Sequence, residues 1–132
     1  MTKNKNQYLE SFLGLKNKKI IITGCSGQLG EYIVKTFLNF GSIVIGLDIK
    51  KPRKKFSKNF IFYRVNISEY KENNLIFSKI FKKFKKVDCL INNAGVAIFQ
   101  PFTKRSEKDL DWVINVNLKS YFYSTKNFYK FS

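Results

Sequence analysis

Three glycines, Gly24, Gly27 and Gly30, follow the β-branched run Ile20-Ile21-Ile22-Thr23 and precede an apolar-periodic segment. That is how a buried strand turning tightly into a helix is written. Such a turn can cradle a phosphate. The missing Cβ atoms let the backbone approach a pyrophosphate, and the first N–H groups of the helix face the anion with the positive end of the dipole behind them. Glycines at this spacing also mark ordinary turns, so the reading depends on what lies further along. Asp48 ends the next β-rich run, eighteen residues beyond Gly30, close to where a dinucleotide fold places the acid that grips the adenosine ribose. Two further groupings are Asn92-Asn93-Ala94-Gly95, directly after an apolar run, and Asn115-Val116-Asn117-Leu118-Lys119, inside a helical pattern. In isolation Asn92 and Asn93 read as turn residues, and Asn117 as the cap of a kinked helix turn.

Other chemistries are removed by composition. The chain has no His, which excludes Ser-His-Asp hydrolysis and His-zinc centres. Its two cysteines, Cys25 and Cys89, lie far apart with no C-x-x-C spacing, so neither a metal site nor a disulfide framework is expected. The net charge of +16 points at first to nucleic acid. The cations are 22 Lys and only 3 Arg, however, whereas base readout and bidentate phosphate clamps favour Arg. The lysines are therefore read as solvated surface, with neither a nucleic-acid nor a membrane partner expected. No apolar run reaches membrane-spanning length and Met1 to Lys19 lack the apolar core of a signal peptide, so a cytoplasmic protein is the expectation.

The elements that must position these groups follow from periodicity. Residues 1–10 are polar and lysine-rich and read as a flexible arm, leaving 11–132 as one partial domain; 132 residues give room for one core. Strands are expected at Lys19–Thr23, Ser42–Asp48, Phe60–Val65 and Val87–Ile91. The first helix is expected to start near Leu29, with Leu29, Ile33, Phe37 and Phe40 on one face, and to stop at Gly41. A second, from Glu69 to Lys86, should turn Leu75, Ile76, Ile80, Phe81 and Phe84 inward. Ser106-Glu107-Lys108-Asp109 is a capping-box pattern that starts the last helix. Its stripe would be Leu110, Ile114 (or Val113), Asn117 (or Leu118), Tyr121, Thr125 and Phe128. The order β-α-β-β-α-β-α without tight hairpins predicts an α/β fold: a Rossmann-type parallel sheet of order 3-2-1-4 with helices on both faces.

Thr23-Gly24-x-x-Gly27-x-x-Gly30, Asp48, Asn92-Asn93-Ala94-Gly95 and Asn115-Val116-Asn117-Leu118-Lys119 together resemble the short-chain dehydrogenase/reductase family, in order and at its usual intervals, from about Phe12 to the C-terminus. The resemblance implies an NAD(P)-dependent oxidoreductase that moves hydride between a nicotinamide cofactor and an alcohol or carbonyl. By that resemblance Gly24, Ser26, Gly27, Gln28, Leu29 and Gly30 form the pyrophosphate turn and Asp48 binds the ribose. Asn66 and Ile67 stand on the adenine side, and Asn93, Ala94 and Gly95 line the cofactor side of strand four, with Asn92 steadying the sheet. Asn117 matches the helix asparagine that anchors the water of a proton relay and is the one catalytic candidate. Two departures stand out. Asn66 occupies a place where the family often has Asp, and the glycine spacing is that of the sugar-nucleotide-acting branch, while the two Asn motifs belong to the single-domain branch.

Asp48 would repel a 2′-phosphate, so NAD is preferred over NADP, although Lys50, Lys51 and Arg53 follow closely. The family's Tyr-x-x-x-Lys is not found: none of the seven tyrosines is followed at the fourth position by Lys. The chain therefore reads as the cofactor-binding part of a longer enzyme, truncated after strand four and its following helix, and is expected to be inactive alone. The alternative is a non-catalytic dinucleotide-binding or regulatory module. A small polar or sugar-derived substrate is the expectation from the glycine spacing, and a homo-oligomer from the family's use of the last helix in subunit contacts.

Overall fold

The computed structural model describes residues 13–132; the expected N-terminal arm, residues 1–10, lies outside them. Four strands, β1 (Lys19–Thr23), β2 (Ile43–Asp48), β3 (Phe60–Arg64) and β4 (Cys89–Ile91), form one parallel sheet in the order β3-β2-β1-β4. Ile21 lies beside Ile45 of β2 on one side and Leu90 of β4 on the other. Because side chains alternate along a strand, β1 feeds two cores at once. Ile20 and Ile22 join Val44 and Val34 of α1 (Gln28–Asn39) on one face. Ile21 joins Ile45, Leu47 and the Phe77, Ile80 and Phe81 of α2 (Tyr70–Phe84) on the other, where Phe128 and Phe131 of α4 (Ser120–Phe131) also pack. Helices thus cover both faces and the sheet runs in the predicted order.

Helix ends follow their local chemistry. Gly41, at φ +76°, donates to Leu38 O while Ser42 donates to Phe37 O, the paired bonds of a Schellman stop that needs a residue in the left-handed region. The capping box forms as written: the Ser106 side chain accepts from the Asp109 backbone and Asp109 accepts from the Ser106 backbone, opening α3 (Glu107–Ile114).

Three packing expectations are corrected. Leu29 is 66% exposed at the open mouth of α1, although Ile33 and Phe37 of the same expected face pack on the core beside the fully buried Val34. Leu75 is 68% exposed because Asn73 occupies an inward position of α2 and sets the buried phase as 73, 76, 77, 80 and 81, bringing in Phe77. The last helix is not one continuous α-helix. A π turn at Asn115–Lys119 separates α3 from α4. One extra residue in a turn rotates everything after it by about 100° relative to an unbroken helix. The expected stripe is only partly kept: after the π turn α4 buries Ser120, Ser124 and Asn127 and turns Thr125 outward, while Phe128 still packs on the core; Leu110, ahead of the π turn, is exposed too.

Asp88 joins β4 to the start of β1. Its Oδ2 accepts from Lys19 N at 2.9 Å, with Lys18 Nζ at 3.5 Å and Lys86 Nζ at 3.8 Å from Oδ1. The Lys19 N–H chiefly, and then the two ammonium groups, hold this carboxyl below its usual 3.8. A depressed folded-state pKa stabilises the fold fully above the unfolded value and ceases to do so as pH falls through the folded one. Asp109, held down by Ser106, acts with the same sign. The urea midpoint should thus fall on acidification below about pH 4, and Asp88→Asn should flatten part of that dependence. An unchanged slope in the variant would exclude Asp88 as a contributor.

Candidate functional site

The glycine turn lies at the C-terminal end of β1, between the exits of β2 and β4. Gly24 has φ +66°, and a Cβ there would stand 2.6 Å from Ala94 Cα. A Cβ on Gly30 would stand 2.0 Å from Gly24 O and 2.9 Å from Cys25 Cα. These two glycines are required by the protein's own packing. Gly27 differs. A Cβ there would meet only Gly24 O, at 3.5 Å, an ordinary contact, so the space beside it is open. Gly27 is also the N-cap of α1, and no side chain caps that helix among the described residues. The first intrahelical bond is Glu31 N to Gly27 O. The N–H groups of Gln28, Leu29 and Gly30 precede it and belong to the unpaired first turn.

Asp48 closes the turn from the β2 side. Its Oδ2 accepts from Ser26 N at 2.9 Å and its Oδ1 from Lys50 N at 3.0 Å, while Ser26 Oγ donates to Lys50 O at 2.6 Å. Each carboxylate oxygen still has a lone pair for an outside donor. Behind the clip, Cys25 is fully buried and its thiol is pushed up to about 12, chiefly by burial, with Asp48 and Glu31 adding their negative charge. A thiol held protonated is a packing group and not a nucleophile. It fits because β2 carries Gly46 opposite, where a Cβ would stand 2.7 Å from Cys25 Sγ and 2.7 Å from the Phe60 ring.

On the β4 side, Thr23 holds the arrangement together. Its hydroxyl is buried, donates to Ile91 O at 3.4 Å and accepts from Asn93 N at 3.0 Å and Ala94 N at 3.1 Å. Asn93 Nδ2 then bonds back to Thr23 O and Gly24 O, at 3.0 and 3.1 Å. The glycine turn and the Asn-Asn-Ala-Gly turn are thus one hydrogen-bonded unit. Sequence reasoning placed Thr23 in the motif without giving it a role and passed over Gly46. The signal for Thr23 was a hydroxyl in the last place of a buried strand, where an apolar residue would otherwise pack.

The remaining candidates divide. Asn66 Oδ1 accepts from Ser68 N and Oγ, at 3.2 and 2.7 Å, which makes it the start of the turn into α2, and leaves its Nδ2 without a partner among the described residues. Ile67 sends its side chain into the core, 6% exposed, so only its backbone can face a ligand. Asn92 Nδ2 donates to Thr125 Oγ1 at 3.1 Å. Gly95 lies past these on an exposed stretch. Asn117, in the π turn, accepts from Val96 N and donates to Val96 O, both at 2.8 Å. Its amide therefore pairs with backbone as a strand would, and fixes the chain leaving β4.

Among the described residues no helix is long and apolar enough to cross a membrane. The sequence profile of the short chain dehydrogenases matches residues 18–131. The 2-dehydro-3-deoxy-D-gluconate 5-dehydrogenase of Dickeya dadantii is 30% identical over 118 residues, which cover 85% of this chain and 47% of that one. Among solved structures, a short chain dehydrogenase from Leptospira borgpetersenii with bound NAD+ superposes with a TM-score of 0.84 at 33% identity, over 87% of this chain and 46% of that one. Thermoplasma acidophilum aldohexose dehydrogenase follows with 0.82 at 28% identity, over 89% and 45%. The chain spans about half the length of the relatives it matches. With the motifs, the sheet order and the profile in agreement over nearly its whole described length, the chain belongs to the short chain dehydrogenase family.

Proposed function

We propose that this chain forms the NAD-binding part of an oxidoreductase that exchanges hydride between NAD(H) and an alcohol or carbonyl. The observation that carries the reading is Gly27: an uncapped helix N-terminus where, among the described residues, a Cβ would meet nothing closer than 3.5 Å, flanked by Asp48 and by the turn after β4. When bound, the nicotinamide would supply or accept the hydride. The chain's own residues do the holding. The N–H groups of Gln28, Leu29 and Gly30 face the pyrophosphate, assisted by the dipole of α1. Asp48 accepts from the ribose hydroxyls with its remaining lone pairs, Asn66 Nδ2 and the Ile67 backbone serve the adenine, and Asn93, Ala94 and Gly95 form the wall toward the nicotinamide. Asn117 positions Val96 through its paired amide and is the proposed anchor of the relay water.

Asp48 gives the reading its cofactor preference. A doubly charged 2′-phosphate about 6 Å from a carboxylate in water is repelled by about 1.4 kcal/mol, about tenfold in affinity. NADH should therefore bind about tenfold more tightly than NADPH in a fluorescence titration. Equal dissociation constants would count against the ribose role of Asp48. For the substrate, the glycine spacing and the sugar-derived substrates in the names of two similar proteins support a polar, sugar-derived alcohol or carbonyl.

A further inference from the structure

Aromatic side chains ring α4. Tyr121, Phe122 and Tyr123 point about 100° apart in succession, and Phe128, Tyr129 and Phe131 repeat the pattern a few turns on. Apolar burial alone would let several faces of this helix pack on α2. The face actually buried carries Ser124 and Asn127, both with no exposed surface, against the equally buried Asn73 of α2. Asn73 Nδ2 donates to Ile67 O and to Ser124 Oγ, each at 2.9 Å, and Asn127 Nδ2 donates to Asn73 Oδ1 at 3.0 Å.

The directions of these bonds are forced. The Ile67 carbonyl can only accept, so it takes the NH2 of Asn73 and turns Asn73 Oδ1 toward α4, where it needs a donor; with Ser124 Oγ already accepting from Asn73, the group that reaches it is Asn127. Asn127 must therefore present its NH2, and its own Oδ1 is left buried without a partner among the described residues. Flipping Asn127 would set two oxygens face to face. An unmet acceptor is retained in an interface that apolar side chains could have filled.

We propose that Asn73, Ser124 and Asn127 are positioning residues that select the face and register of α4, and through it hold the exit of β4. Thr125, next to Ser124, accepts from Asn92 at the end of β4, and the π turn leading into α4 carries the Asn117 that clamps Val96. Turning α4 by one residue breaks the first contact and drags on the second. Buried polar groups that fix register, while apolar replacements keep or raise stability, are a known use of such networks.

The test is the 132-residue chain carrying Asn73→Leu and Asn127→Leu together. It should melt cooperatively at an unchanged or higher temperature, while hydrogen exchange at the Val96 amide accelerates at least about tenfold and NADH binds several-fold more weakly. Unchanged Val96 exchange would overturn the proposal. Only the NADH arm rests on the cofactor reading: a parent chain that binds no NADH removes that reading and leaves the exchange comparison intact. If the double variant does not fold, Ser124→Ala, which deletes one of two acceptors of Asn73, should still speed Val96 exchange about threefold. Exchange equal to the parent's in that variant would likewise overturn it.

Discussion

Gly30→Ala is expected to abolish the cooperative melt of this chain. The added Cβ would stand 2.0 Å from Gly24 O and 2.9 Å from Cys25 Cα, both backbone atoms. Neither can give. Gly24 N is bonded to Leu47 O at 2.8 Å, its own Cα faces Ala94 with no room for a substituent, and Cys25 is enclosed by β2. Relief requires α1 to lift from the sheet, which exposes Val34 and opens the face built on Ile20, Ile22 and Val44. Overpacking usually costs about 1–3 kcal/mol, and more where backbone is the obstacle. Domains have only about 5–15 kcal/mol in total. Circular dichroism on heating should show a broad, non-cooperative loss of signal. A sharp transition within a few degrees of the parent would mean that the turn is not packed as described.

The contrast between Gly30 and Gly27 was not legible in the sequence, where three glycines at equal spacing look alike. What could be read was whatever depends on local chemistry. The β-branched runs gave strands because each is buried on two faces, the Gly41 stop and the Ser106 capping box need only neighbouring residues, and the absence of hairpin signals left parallel crossovers as the connection. Phase was harder. Asn73 sits inward on α2, so a count of apolar residues assigned Leu75 to the core and missed Phe77. The π turn shifted α4 for a reason that no hydrophobic pattern encodes, since aromatic side chains ring the helix and its buried face is polar.

The candidate site shows the same division. That Gly24 and Gly30 share one turn closed by Asp48 could be anticipated from spacing, because the geometry of a strand-turn-helix unit is short-range. The roles of Thr23 and Gly46 were not legible because their partners, Asn93, Ala94, Cys25 and Phe60, are distant in sequence. Asn117 was identified as important without its partner. The amide pairs with Val96, twenty-one residues earlier, and nothing in either segment announces that contact.

In Gly27→Asp, fold and ligand should respond in opposite directions. Gly27 has φ −74° and ψ 164°, an extended conformation open to any residue, and its Cβ would meet nothing closer than 3.5 Å. At an N-cap, Asp accepts from the first-turn N–H groups and its charge suits the helix dipole, so stability should hold or rise by about 0.5 kcal/mol. The same carboxylate would occupy the N–H groups proposed for the pyrophosphate and set a third negative charge against its two. At about 5 Å that repulsion, added to the lost hydrogen bonds, should weaken NADH binding about 100-fold. The measurement is a fluorescence titration of NADH against parent and variant, with melting curves recorded on the same samples. The variant should melt at or above the parent's temperature and lose NADH. A folded variant that binds NADH as the parent does would contradict the pyrophosphate role of these N–H groups.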